Sequence, residues 1–363
     1  MTATSKIPFY AKASLVFIGL FAFISMLFFT KEIIIPIVYA TIIAIVLSPA
    51  VDLLVKSKMN RILAIATSLF VVSFITILFV IALASELGAL SESFPKLLDK
   101  FYEALNNTVK WVSDYFNIST KIINSYISDT KTEMLNGSRS SLGATFTTVG
   151  GVLIMLILIP VYVFMLLFYQ PLLLDFIRRL FGESNSNEVN KVLSSTKIII
   201  RKYLIGLLFE AAIIATLNSI SLLVIGIDYA IVLGIIGALV NVIPYVGGII
   251  AVAMPMLVAF VTKSSSTSAL IVFVVYIVIQ FIDNHYVIPK VVASKVKINA
   301  LVSIVVVLAG GALWGIPGMF LSIPLTAILK VICDHIETLK PWGFLLGDTM
   351  PYIALFKLKI KNK

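Results

Sequence analysis

The chain has 363 residues, of which 60% are hydrophobic and 13% charged, and its mean hydropathy is +1.07. Runs of about 20 apolar residues follow one another along it, and one such run is long enough for a helix to cross a bilayer. This composition excludes a soluble globular protein. The formal net charge of +10 does not indicate a nucleic-acid partner, because the basic residues stand in short loops beside apolar runs and form no contiguous basic face with interleaved aromatic residues.

The residue types that enzymes and metal sites use are scarce. The chain has one cysteine, Cys333, and two histidines, His285 and His335. A single cysteine forms neither an internal disulfide nor a multi-thiolate metal site. No His-x-x-x-His or Gly-x-Ser-x-Gly motif occurs in the sequence. We therefore predict that the protein is not an enzyme and holds no cofactor or metal ion.

Apolar segments follow one another along the whole chain. Six are predicted to cross the membrane as full helices: residues 13–30, 33–55, 62–85, 146–169, 203–227 and 268–288. Two further apolar segments, residues 229–262 and 298–330, are interrupted near their middle. The predicted fold class is an all-α polytopic membrane protein with about six full transmembrane helices, two broken helical hairpins and a small helical extramembrane insertion.

The same pattern divides the chain into five parts. They are a three-helix membrane part (1–85), a helical extracytoplasmic insertion (86–145), a fourth span with a cytoplasmic amphipathic linker (146–202), a transport core (203–335) and a basic cytoplasmic tail (336–363). The amphipathic spacing of the insertion suggests contacts with the membrane surface, or with other copies of the chain in a homo-oligomer. Most of the 28 Lys and Arg residues fall in segments that share one side with the N-terminus, so both termini are predicted to be cytoplasmic.

The two interruptions consist of helix-breaking residues. The first contains Pro244, Gly247 and Gly248, and the second extends from Gly310 to Gly318. An interrupted helix persists at membrane depth only where protein surrounds it or it lines a wet cavity, and paired interruptions mark the solute site of many transporters. Each arm has about 14 apolar residues, or roughly 21 Å of helix, against a hydrocarbon core of about 30 Å. The short arms favour re-entry, with crossing as the open alternative. If both segments re-enter, they form two hairpins that enter from opposite sides and meet tip to tip.

Several motifs occur in a fixed order. They are Leu47-Ser48-Pro49 followed by Arg61, Tyr203-Leu204-Ile205-Gly206, Asn241-Val242-Ile243-Pro244-Tyr245-Val246-Gly247-Gly248, Gln280-Phe281-Ile282-Asp283-Asn284 ahead of Ile288-Pro289, and Gly310-Gly311 through Trp314-Gly315-Ile316-Pro317-Gly318 to Ile323-Pro324. Apart from the insertion, this set resembles the autoinducer-2 exporter family over nearly the whole chain. Two positions depart from the family pattern: Leu207 stands where the family often has Gln, and Asp283 stands where it usually has Glu.

The resemblance implies a multi-pass transporter of the bacterial cytoplasmic membrane, without ATPase motifs. Some family members are linked to export of autoinducer-2, and others to exchange of sodium or lithium for protons. We therefore expect a secondary active transporter that exports a small polar solute such as autoinducer-2, coupled to an ion or a proton. The open alternatives are a monovalent cation/proton antiporter and a membrane scaffold without transport. The expected partners are the solute or cation and the membrane lipids.

The polar residues of the sixth predicted span are the first candidate site. Gln280, Asp283 and Asn284 share one helix face. A charged residue within a span is costly and usually faces a cavity or a partner. Asp283 is therefore a candidate for substrate or ion binding, or for a structural ion pair with Lys290 or Arg201.

Glu210 and Asp283 are the candidates for proton coupling. Glu210 lies one to two turns into the fifth predicted span. A carboxyl group in such surroundings can carry a proton, because burial disfavours its charged form. The alternative for Glu210 is a structural carboxylate that pairs with a neighbouring helix.

The tips of the two broken segments complete the predicted site. Asn241 offers a side-chain amide next to the first break, and freed backbone groups become ligands at such tips. The remaining candidates are Pro244, Gly247 and Gly248 at the first tip and Gly315, Pro317 and Gly318 at the second. Each glycine also fits a second interpretation, close helix packing through small residues.

Overall fold

The computed structural model describes residues 8–116, 157–182, 186–243, 247–263, 266–292 and 297–348. The helices are α1 (Phe9–Phe29), α2 (Lys31–Lys56), α3 (Arg61–Phe116), α4 (Ile157–Phe168), α5 (Gln170–Phe181), α6 (Ser186–Ile225), α7 (Ala230–Asn241), α8 (Gly247–Thr262), α9 (Ser266–Ile282), α10 (Ala300–Trp314), α11 (Ile316–His335) and α12 (Lys340–Leu346). A π-helical segment, Asp283–Val292, continues α9, and a 3₁₀ turn, Glu337–Leu339, precedes α12. The described part of the chain contains no strand, which confirms the all-α prediction.

Six described helical segments are long and apolar enough to cross a membrane. They are Phe9–Phe29, Lys31–Lys56, Arg61–Gly88, Ser186–Ile225, Thr267–Val292 and Ile316–His335. The multi-pass prediction is thereby confirmed. The predicted fourth span lies partly outside the described residues; its described part, α4, meets α5 at an angle of 63°.

Two helices are longer than the apolar runs that predicted them. Helix α3 has 56 residues and continues from the third span into the first part of the insertion, so no helix end marks the expected boundary at residue 86. Helix α6 has 40 residues and includes the end of the predicted amphipathic linker. Forty residues of helix extend about 60 Å, twice the hydrocarbon thickness. A helix that is anchored in lipid at one end therefore continues into water at the other.

The first broken segment agrees with its prediction. Helices α7 and α8 have 12 and 16 residues, about 18 and 24 Å, and both are shorter than the hydrocarbon core. The interruption between them starts after Asn241 and ends at Gly247, while Pro244 itself lies outside the described residues. The chain reverses between α6 and α7 through Gly226 and Tyr229, both at positive φ. A Cβ at Gly234 would collide with Ser219, so this glycine lets α7 lie directly against α6.

The second broken segment differs from its prediction in two ways. Helix α10 continues through Gly310 and Gly311 to Trp314, so the interruption is only Gly315, whose φ is +66°. The reason is packing: a Cβ at Gly310 would collide with Ser322 and Gly318 of α11, so the glycines are the surface on which the two helices approach each other. The prediction of a short arm on the C-terminal side of the break is also wrong. Helix α11 has 20 residues, or about 30 Å, which is enough to cross.

Helix α6 belongs to two of the apolar cores of the molecule and so connects them. Its Leu222 packs with residues of α7, α8 and α9. Nearer the N-terminal end of α6, Tyr203 and Leu207 pack with α2, the π-helical segment, α10 and α11. A third core joins α2, α3 and α4 around Ala40 and Ile65. The residues between Tyr203 and Leu222 are thus placed in the middle of the protein, with both broken segments beside them.

Candidate transport site

A cavity of about 980 Å³ lies between α6, the first broken segment, α9 with its π-helical continuation, and the start of α10. Most of its lining is apolar. The polar side chains that line it are Tyr203, Glu210, Asn241, Tyr276, Gln280, Asn284 and Ser303. A largely apolar cavity with a few convergent polar groups is the usual form of a small-molecule site.

Asp283 is tied to the tip of the first broken segment. The Asn241 side-chain amide donates a hydrogen bond to Asp283 Oδ2, with 2.8 Å between nitrogen and oxygen. Asp283 is only 1% exposed, and its second oxygen, Oδ1, has no hydrogen-bond partner among the described residues. In that part of the chain no ion pair joins Asp283 to Lys290 or Arg201, so the predicted structural salt bridge is not formed. One buried carboxylate oxygen is therefore left without a hydrogen bond in the described part of the chain, which is rare for a buried polar atom.

Asp283 is the first residue of the π-helical segment that continues α9. The backbone after Asp283 therefore winds differently from a regular α-helix. Pro289 lies inside this segment and supplies no backbone N–H. Segments of π-helix occur frequently at functional sites. Helix α6 lies against this segment: a Cβ at Gly206 would lie 2.5 Å from the backbone oxygen of Val291. The motif that starts at Tyr203 thus brings α6 into direct contact with the π-helical backbone.

Of the three polar residues predicted to share one helix face, Gln280, Asp283 and Asn284, two reach the cavity. Gln280 and Asn284 line the cavity, and Asp283 is buried beside Asn241. Gly248 completes this wall: a Cβ there would lie 3.0 Å from Gln280 Oε1, so a larger residue would require the Gln280 side chain to shift. Gly247 has a local role, because a Cβ at that position would collide with the backbone oxygen of Val240 at the end of α7.

Glu210 faces the same cavity from α6. Its side chain is buried, and the described residues include no cation that pairs with it. The Glu210 carboxyl group is close enough to Asp283 for the two to interact electrostatically. Two carboxyl groups in an apolar region without a cation are costly when both are charged. A proton or a bound cation relieves that cost.

The second tip is not brought together with the others. Among the described residues, Gly315, Pro317 and Gly318 do not line the cavity. The Trp314 indole N–H donates to the backbone oxygen of Leu27 in α1 at 3.0 Å. Within the described residues, the second tip therefore adds no side chain to the lining of this cavity.

The contacts of the second tip explain its position. The Tyr39 hydroxyl of α2 donates to the Pro317 backbone oxygen at 3.5 Å, and the Tyr39 ring stacks on Phe320 with 5.8 Å between centroids. The second broken segment lines the cavity with Ile298, Ala300 and Ser303 near its beginning and with Ile323 of α11. It therefore contributes its sides and not its tip.

Sequence reasoning missed several polar residues around the cavity. Tyr203, Tyr276 and Ser303 line it, and the Tyr276 hydroxyl has no hydrogen-bond partner within the described residues. Asn218 is 2% exposed on α6, two turns beyond Glu210, and its Oδ1 is also unpartnered there. An amide two turns from a carboxylate in the same apolar helix was a readable signal. The two tyrosines gave none, because tyrosine is common in apolar spans.

An all-helical polytopic protein in which broken helices enclose a cavity with a few polar groups and a buried carboxyl group has the architecture of a membrane transporter. The family model of the AI-2E family transporters matches residues 15–338, and the chain belongs to this family.

Several relatives are similar to the chain, two over most of its length and one over about a third. YueF of Bacillus subtilis is 27% identical over 90% of this chain and 89% of its own. The AI-2 transport protein TqsA of Escherichia coli is 23% identical over 88% of this chain and 91% of its own. YrrI of Bacillus subtilis is 38% identical over 37% of each chain. The relatives are named as transport proteins, in agreement with the prediction of a transporter.

Proposed function

We propose that this protein is a secondary active transporter that exports a small polar solute of the autoinducer-2 type, driven by a proton or ion gradient. The observation that carries the proposal is the convergence of Glu210, Asn241 and Gln280 on one cavity, beside a buried Asp283 with an open oxygen. A relative of similar length is named as an AI-2 transport protein, which supports this solute class.

The chemistry of the lining suits a small, hydroxyl-rich solute. Asn241, Gln280 and Asn284 each supply a carbonyl acceptor and an amide donor, and Ser303 and Tyr276 supply hydroxyl groups. These groups satisfy the hydrogen bonds that a polar solute gives up when it leaves water. The cavity of about 980 Å³ holds such a solute together with water.

Coupling follows from the unpaired carboxyl groups. In this proposal a proton neutralises Glu210 or Asp283 in one state of the protein and leaves in the other, so that solute and proton bind with different affinities in the two states. A monovalent cation can take the proton's place, since the open Asp283 Oδ1 is the kind of oxygen that binds sodium or lithium. Flux measurements with both ions separate these two modes.

Alternating access completes the proposal. Residues 203–335 form the transport core, which moves against the three-helix membrane part of residues 1–85. The distribution of basic residues supports placing both termini in the cytoplasm of a bacterium, with the protein in its inner membrane. Tip contacts with α1 and α2 make the second broken segment one of the connections between the two parts.

The test is flux into proteoliposomes under imposed proton and sodium gradients, with autoinducer-2, sodium and lithium measured in parallel. We expect a proton or sodium gradient to drive autoinducer-2 movement, and Glu210→Gln and Asp283→Asn to abolish the gradient response. Glu188→Gln is the matched control, because Glu188 is an exposed carboxylate paired with Lys191 outside the cavity.

Three outcomes would contradict the proposal. Gradient-driven flux that survives both substitutions would remove Glu210 and Asp283 from coupling. Movement of sodium or lithium without autoinducer-2 would make the protein a cation/proton antiporter. No flux of any of these solutes from folded protein would favour a scaffold.

A further inference from the structure

A second cavity, of about 670 Å³, lies between α2, the α4–α5 corner, α6 and α11. It shares no lining residue with the transport cavity. Most of its walls are apolar, with Ile42, Leu166 and Ile328 as examples, and its polar residues include Lys197 and Arg178. The proposed transport mechanism uses none of these residues.

The two cations in this cavity have neutral partners. Lys197 Nζ donates to Ser48 Oγ at 2.9 Å, and Arg178 Nε donates to Asn190 Oδ1 at 3.0 Å. Within the described residues, neither cation forms an ion pair with a carboxylate. The carboxylate of Asp52 is bonded to Ser48 and not to a cation: it is exposed and accepts a hydrogen bond from the Ser48 hydroxyl at 3.5 Å. Two cations in one cavity with neutral partners match a phosphate group, whose oxygens accept charge-assisted hydrogen bonds.

Helix α5, which lines this cavity, has the composition of a helix at the membrane surface. It turns 63° away from α4, its side chains Leu172, Phe176 and Leu180 are exposed, and Arg178 and Arg179 occupy its last turn. A short helix with exposed apolar residues and basic residues lies in the plane of the headgroup boundary. Cations on such a helix are at the depth of lipid phosphates, which favours a lipid over a phosphate dissolved in water.

The corner that forms the cavity is held by Arg61. Its guanidinium donates to the Leu167 backbone oxygen at 2.9 Å and to Gln170 Oε1 at 3.4 Å. Leu167 and Gln170 both line the cavity, and so does Ser48. The motif Leu47-Ser48-Pro49 followed by Arg61, which the transport site leaves unused, is thus built around this second cavity.

We propose that this cavity binds an anionic phospholipid of the cytoplasmic leaflet. Its phosphate lies between Lys197 and Arg178, and one acyl chain lies along the apolar walls that α2 and α11 provide. Basic pockets between transmembrane helices on the cytoplasmic side are a known form of site for acidic headgroups. A lipid in this cavity would hold α5 against α2 and α6.

The test measures lipid retention by native mass spectrometry on the full chain in detergent. The probes are phosphatidylglycerol, phosphatidylcholine and water-soluble glycerol phosphate at equal concentration. We expect the protein to retain phosphatidylglycerol in preference to both others. In the double variant Arg178→Gln with Lys197→Gln, we expect the apparent affinity for phosphatidylglycerol to fall roughly 30-fold, because each substitution removes the attraction of one basic residue for the anionic headgroup.

The matched control is the double variant Arg179→Gln with Lys191→Gln. It removes the same charge from the same two helices, but these residues are exposed, are paired with Asp175 and Glu188, and do not line the cavity. It should retain phosphatidylglycerol as the unmodified chain does. Should the first double variant fail to fold, Arg178→Gln alone tests the same point, because Arg178 is exposed.

Three results would overturn the proposal. Equal retention of phosphatidylglycerol and phosphatidylcholine would remove the role of the cations. An equal loss in the two double variants would indicate general surface charge. Binding of glycerol phosphate as strong as that of the lipid would indicate a site for a soluble anion.

Discussion

The two broken segments look alike in sequence and are used differently in the structure. The first presents its tip to the transport cavity, where Asn241 bonds Asp283 and Gly248 lies against Gln280. The second presents its tip to α1 and α2, where Trp314 and Pro317 bond other helices. A glycine and proline interruption in an apolar segment therefore permits either a site or a packing joint. The partner that its polar groups meet decides between the two.

The largest expected effect is at the first tip. Replacing Asn241 by Leu removes the amide that bonds Asp283 and lines the cavity. A buried group left without its partner costs about 1–3 kcal/mol, so we expect solute flux to fall by roughly tenfold or more. Flux in proteoliposomes at equal protein content is the measurement. Asn241→Gln keeps an amide and should keep more of the activity; equal loss in both variants would show that the amide does not act through Asp283.

The next effect is at the joint between α10 and α11. A side chain at Gly318 would collide with the Gly310 backbone, so Gly318→Val should lower stability by about 1–3 kcal/mol through overpacking. Thermal unfolding in detergent checks this value. The control is Gly19→Val, because a Cβ at Gly19 meets nothing within 4 Å. If the two variants unfold at the same temperature, close glycine packing is not what holds the second segment.

The smallest effect is at the second tip. Trp314→Phe removes one hydrogen bond, from the indole N–H to the Leu27 backbone oxygen, and should cost about 0.5–1.5 kcal/mol. Flux should change less than with Asn241→Leu, because Trp314 does not line the cavity. A loss of flux as large as that at Asn241 would place the second tip in the transport site after all.

Local sequence signals predicted the elements and part of the site. The break after Asn241 and the polar face of Gln280, Asp283 and Asn284 follow from residue spacing within one segment. The bond between Asn241 and Asp283 joins residues 42 positions apart, and no spacing within one segment indicates it.

The errors have physical causes as well. Gly310 was read as a helix breaker, although a helix tolerates glycine where a neighbouring helix packs on it. Residues 186–202 were assigned to the amphipathic linker and not to the same helix as the fifth span, because hydropathy detects the part of a helix that lies in lipid and not its continuation into water. The cavity around Ser48 and Lys197 depends on residues 149 positions apart, so only the folded chain reveals it.

The central claim is that solute occupies the cavity at the first tip and not the second. It is tested by thiol alkylation of single cysteines introduced by Asn284→Cys and, separately, by Ile316→Cys, in a chain whose one native cysteine is removed by Cys333→Ser. Asn284 lines the cavity, whereas Ile316 is exposed at the second tip. We predict that autoinducer-2 slows alkylation at position 284 and leaves position 316 unchanged. Protection at position 316 with none at position 284 would contradict the account.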